Sequence, residues 1–69
     1  MDEKELLLEL GLKIKLERVR KRLSQEKLAE IAGINQRSVS LIESGLSDVK
    51  FLTLTKIAEA LDIKFDLIK

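Results

Sequence analysis

Cysteine, histidine, proline, tryptophan and tyrosine are all absent from the 69-residue chain, and phenylalanine occurs only twice. Without cysteine no disulfide can staple the fold. Without histidine as well, a zinc site or a histidine-based catalytic centre is excluded. There is no glycine-rich loop to cradle a phosphate and no evident pair of carboxylates set over a cleft. No catalytic residue, metal or cofactor is therefore expected. No apolar run approaches the roughly 18 residues of a membrane span. No charged-then-apolar leader with a small-residue cleavage site stands at the start. The expectation is a soluble cytoplasmic protein with no membrane association.

What is present is a mixture of apolar residues (45%) and charged residues (36%), which suits amphipathic helices with solvated outer faces. A chain of this length makes one domain, residues 1–69, with a modest core; burying more apolar surface in a homodimer would add stability. The net charge of +1 hides an uneven distribution. Asp2, Glu3, Glu5 and Glu9 outnumber Lys4 in the first ten residues. Lys13, Lys15, Arg18, Arg20, Lys21 and Arg22 then outnumber Glu17. A basic block of this kind attracts phosphate, although a solvated basic helix face is common.

With no proline, the breakers are Gly11, Gly33, Gly45 and the polar capping residues. Helix 1 is predicted from Asp2 or Glu3 to about Lys21, with acids in its first turns and bases in its last, complementing the helix dipole. It carries two apolar stripes: Leu7, Leu10 and Ile14, and then Leu8, Leu12, Leu16, Val19 and Leu23. The second is more than one small core needs, and either packs beneath the helix or faces another protein. Gly11 reads as a mild weak point, costing about 1 kcal/mol relative to alanine. Ser24 caps a second helix over about 25–32, and Gly33 follows as the residue able to take positive φ. Asn35 caps a third helix that runs to about Ser44. After a loop at 46–50, Phe51, Leu54, Ile57, Ala58 and Leu61 at helical spacing mark a fourth helix over about 51–61. In the tail, 62–69, Ile63, Phe65 and Leu67 alternate with polar residues. This fits a strand paired with the same tail of a second subunit, or a short fifth helix.

The most informative stretch is Ser24–Gly45, SQEKLAEIAGINQRSVSLIESG. Ala29 is small where two helices cross, Gly33 permits the turn, and Ile34 and Val39 tie the second helix to the first. The start of helix 3 then projects, exposing Asn35, Gln36, Arg37, Ser38 and Ser40.

On these pieces, LSQEKLAEIAGI, NQRSVSLIESG and LTKIAEALDI, the chain resembles the Cro/repressor-type helix-turn-helix proteins, the XRE family. The likeness covers roughly residues 10–63. It implies an all-α, lambda-repressor-like domain of four to five helices that sets helix 3 in the major groove of double-stranded DNA, usually as a dimer. It further implies that Gln36, Arg37, Ser40 and Leu41 face bases. Gln25, Asn35 and Ser38 face the sugar-phosphate backbone, with Ser47 and Lys50 added from the loop before helix 4. Arg18 and Glu43 match a family ion pair, and Leu52, Ile63, Phe65 and Leu67 are the expected dimer residues.

The chain departs from the family pattern where Val49 replaces a common proline and Lys50 replaces the usual serine or threonine cap, so the start of helix 4 is expected to be shifted or frayed. Three functions fit. The first is a sequence-specific transcriptional regulator, read as a repressor. The second is an antitoxin that also binds a toxin, since the alternating IKFDLIK tail is similar to antitoxins of the HipB type. The third is a restriction-modification controller protein, which shares the same core.

Overall fold

Helices form where the apolar spacing is helical and begin where a short polar side chain closes the first turn. The computed structural model describes residues 2–64. It contains α1 (Glu3–Arg20), α2 (Gln25–Ala32), α3 (Gln36–Glu43) and α4 (Phe51–Leu61). Three of the four starts are capped by a side-chain oxygen that accepts a backbone N–H three residues on. Asp2 accepts from Glu5 at 2.8 Å, Ser24 from Lys27 at 2.9 Å and Asn35 from Ser38 at 2.8 Å. Each cap satisfies an N–H that the helix itself leaves unpaired, worth about 1 kcal/mol. The fourth start is the predicted departure: α4 begins at Phe51 as its spacing requires, but Lys50 makes no side-chain cap. The start is not shifted, because the Lys50 carbonyl still accepts from the Leu54 N–H at 2.9 Å.

Gly33 ends α2 at φ 74°, ψ 33°, a left-handed conformation that costs other L-residues about 1–2 kcal/mol. The reversal is closed by the Ile34 N–H on the Ala29 carbonyl at 3.0 Å, which turns the chain directly into the Asn35 cap of α3.

The core is built from one face of each helix: Ile14 from α1, Leu28, Ala29 and Ala32 from α2, Val39 and Ile42 from α3, and Leu54, Ile57 and Leu61 from α4. Ile14, Leu28, Val39, Ile57 and Leu61 are fully buried, each contributing roughly 1.5–3 kcal/mol of apolar transfer. α3 packs against both α1 and α2, and α4 packs against α2. The short α2 is thus central, and its small Ala29 and Ala32 let its neighbours approach.

Phe51 shares the helical spacing of Leu54, Ile57 and Leu61 but is 71% exposed at the start of α4. Gly11 is neither a breaker nor a weak point. It lies buried in the middle of α1, where a Cβ would strike the Ile42 carbonyl and stand 2.7 Å from the Glu43 carbonyl oxygen. The α1 and α3 backbones touch there, and only glycine fits between them. Leu8, Leu12, Leu16 and Val19 of the second stripe stay half-exposed, while Leu23 packs against the core. Of the tail, Ile63 follows α4 in irregular backbone and packs partly on the core. Phe65 and Leu67, and with them the choice between strand and fifth helix, lie outside the described residues.

Candidate nucleic-acid interface

The first turn of α3 stands away from the core because its buried residues, Val39 and Ile42, come late in the helix. Asn35, Gln36 and Arg37 are exposed, and Ser38, Ser40 and Leu41 are half-buried behind them. Among the described residues the side chains of Gln36 and Arg37 make no hydrogen bond or ion pair within the chain, so their amide and guanidinium donors face solvent. Asn35 spends its carbonyl oxygen on the Ser38 N–H, leaving its amide NH₂ to face outward.

The other end of α3 is anchored by a polar network. Arg18 donates through Nε to Glu43 Oε2 at 2.6 Å and through Nη2 to Oε1 at 3.1 Å, a two-point contact of guanidinium with carboxylate. Its Nη1 donates to the Leu23 carbonyl at 2.7 Å. Gln25 Nε2 donates to the same Glu43 Oε1 at 3.1 Å. The Arg18 and Glu43 side chains are only 12% and 3% exposed, and no buried side-chain polar atom among the described residues lacks a partner. Three segments therefore meet at one carboxylate, α1, the first residue of α2 and the last residue of α3, and the turn after α1 joins them through Arg18. A buried pair of this kind repays its desolvation poorly, but it holds register, because any slippage strands a charge. Here the register that it holds is the orientation of α3.

The expected site residues separate into two groups. Ser38, Leu41, Ser47 and Lys50 are brought together around one shallow depression of about 270 Å³, which Ile42, Asp48 and Thr53 also line. Ser47 is turned onto the Asp48 carbonyl at 3.0 Å, while Lys50 is exposed. Gln25 is not among them: it is half-buried, with its amide committed to Glu43. Leu52 is 64% exposed on α4, next to Phe51 and apart from the α3 face. The basic block of α1 is broken up by the fold: Arg18 is interior and Arg20 pairs with Glu17 at 3.2 Å. Lys21 and Arg22 remain as exposed cations at the corner before α2. Thr53 and Asp48 were missed by sequence reasoning. Nothing in their spacing marks them: Asp48 lies in the loop before α4, which has no period, and Thr53 is a half-buried residue in the first turn of α4.

A helix-turn-helix family profile matches residues 14–68, which span all four helices from the middle of α1. The chain belongs to this family, in its Cro/repressor (XRE) branch. Among solved structures, the restriction-modification controller protein C.AhdI from Aeromonas hydrophila matches with a TM-score of 0.88 and 34% identity over 93% of each chain. No curated protein sequence matches. The all-α, lambda-repressor-like fold expected from the sequence is thus the fold observed, and the chain is a DNA-binding transcription regulator by family.

Proposed function

We propose that the chain is a single-domain, sequence-specific repressor that binds double-stranded DNA as a homodimer, with α3 in the major groove. The observation that carries this reading is the first turn of α3: two long hydrogen-bonding side chains, Gln36 and Arg37, exposed on a helix whose far end is locked by Arg18, Glu43 and Gln25. Gln36 reads adenine, Arg37 reads guanine, and Ser40 and Leu41 face the bases beside them, Leu41 against a thymine methyl. Asn35, Ser38, Ser47 and Lys50 follow the sugar-phosphate backbone. At the start of α2, the Ser24 side chain takes the Lys27 N–H and the Ser24 carbonyl takes that of Leu28. The Gln25 and Glu26 N–H groups are left to bind a phosphate, with the positive end of the helix dipole behind them.

Homodimerisation is supported by apolar surface on α4. Phe51 and Leu52 are 71% and 64% exposed, and Phe51 borders a hollow of about 310 Å³ that includes Thr55, Ala58 and Ile63. Covering this surface with a second copy sets two α3 helices on two-fold-related half-sites, about one DNA turn, roughly 34 Å, apart. Occupying the duplex in that way excludes other proteins from it, which is the simplest route to repression.

A controller of a restriction-modification locus is the second reading, favoured by the 34% identity to a controller over nearly the whole length of both chains. The antitoxin reading rests on the IKFDLIK tail, of which Ile63 and Lys64 are the described residues, and on the leucine stripe of α1 as a partner-facing surface, where Leu8, Leu12 and Leu16 are half-exposed. Selection of bound duplexes from a random pool tests the proposal. The expected outcome is a recovered motif of two symmetric half-sites containing A and G contacts. Recovery of no motif contradicts it.

A further inference from the structure

We propose that Arg22 grips the sugar-phosphate backbone of bound DNA, and that the chain accepts backbone strain to keep an arginine at that corner. The inference rests on the reading of α2 and α3 as the DNA-facing elements, and adds to them a contact from the turn that precedes both.

Each helix is followed within two residues by a left-handed residue. After α2 it is Gly33 at φ 74°, after α3 Gly45 at φ 72° and after α4 Asp62 at φ 54°. Glycine takes this conformation freely, and aspartate tolerates it through its short polar side chain. After α1 it is Arg22, at φ 59°. Arginine has a crowding Cβ and no short polar group to offset it.

No contact inside the chain explains an arginine here. Its side chain is exposed and, among the described residues, makes no hydrogen bond or ion pair. The neighbouring arginines are committed, Arg18 to Glu43 and Arg20 to Glu17. Glu26, in the first turn of α2, is exposed and pairs with neither Lys21 nor Arg22. Lys21 is exposed as well, so two positive charges stand together at the corner.

The corner is pinned. The Arg22 N–H donates to the Val19 carbonyl at 2.9 Å and the Leu23 N–H to the Arg18 carbonyl at 3.1 Å. Arg18 Nη1 donates to the Leu23 carbonyl at 2.7 Å while its Nε holds Glu43 at the end of α3. The strained residue is thereby fixed relative to α3, and it lies at most ~11 Å along the chain from Gln25, the first residue of α2. The ligand follows from the chemistry. A guanidinium presents planar donors that match phosphate oxygens, and phosphates continue along the duplex on either side of the bases that α3 faces. Such a contact positions the protein and carries no sequence information.

Arg22→Gly tests this, because folding and binding are expected to move in opposite directions. Glycine relieves the left-handed φ, and the melting temperature is expected to rise by a few degrees. Binding is expected to weaken several-fold on a selected duplex and on a random one alike, and the slope of log affinity against log salt to become shallower by about 0.9. Arg22→Asn, neutral and tolerant of the same φ, is expected to do likewise. Arg22→Lys keeps the charge and is expected to keep the slope. An Arg22→Gly variant that binds both duplexes with unchanged affinity and slope overturns the proposal. So does a loss confined to the selected duplex, which marks a base contact, or a slope for Arg22→Lys as shallow as that for Arg22→Gly. Base reading by α3 fails separately: an unaltered chain without preference for the selected duplex contradicts it, and the salt slope on the random duplex still reports on Arg22.

Discussion

Arg18 and Glu43, 25 residues apart, close a two-point ion pair of 2.6 and 3.1 Å that fastens the end of α3 to α1. Removing one partner leaves the other charge uncompensated in a site that is at most 12% exposed. Glu43→Ala is expected to cost about 3–5 kcal/mol, enough to unfold much of a domain this small. The double replacement Arg18→Met with Glu43→Leu removes both charges and is expected to recover most of the loss in urea denaturation. If Glu43→Ala is as stable as the unaltered protein, the pair does not hold α3.

Gly11→Ala gives opposite signs by two routes. Helix propensity alone predicts a gain of about 1 kcal/mol. The added methyl, however, meets the carbonyls of Ile42 and Glu43, which are backbone and cannot swing aside. Forced separation of α1 from α3 is expected to dominate, with a net loss of about 1–3 kcal/mol and a lower melting temperature. A stabilised variant means that the helices do not touch there.

Lys50→Ser separates folding from binding at one residue. Serine supplies the cap that α4 lacks and is expected to add about 1 kcal/mol, raising the melting temperature by roughly 4–8 °C. Loss of the cation is expected to weaken DNA binding by a similar factor for every sequence, and to reduce the slope of log affinity against log salt by about 0.9. An unchanged salt slope removes Lys50 from the phosphate contacts.

Much of this fold is local, and local chemistry is legible in a sequence. Asp2, Ser24 and Asn35 mark helix starts because their short side chains reach an N–H three residues on, and Gly33 marks a turn because few residues take its φ. Gly11 was misread for the opposite reason. What it touches lies more than thirty residues away, and nothing near it in the chain shows that a second backbone passes. Phe51 illustrates the limit of periodicity: the spacing says which residues share a face, but the first turn of α4 overhangs the core that the rest of that face meets. Within the candidate site, Gln36 and Arg37 were legible as exposed because they follow directly on a cap. The gathering of Ser38, Leu41, Ser47 and Lys50 around one depression, and the commitment of Gln25 to Glu43, required the tertiary fold.

The most direct measurement is titration of a labelled duplex carrying the selected motif, beside a random duplex, with the unaltered chain and with Arg37→Ala at one stated salt concentration. Contact between the guanidinium and a guanine edge predicts that Arg37→Ala loses about 1–3 kcal/mol on the selected duplex and relaxes the preference at one base position, with little change on the random one. Equal loss on both duplexes, or none on either, would contradict base reading by the start of α3.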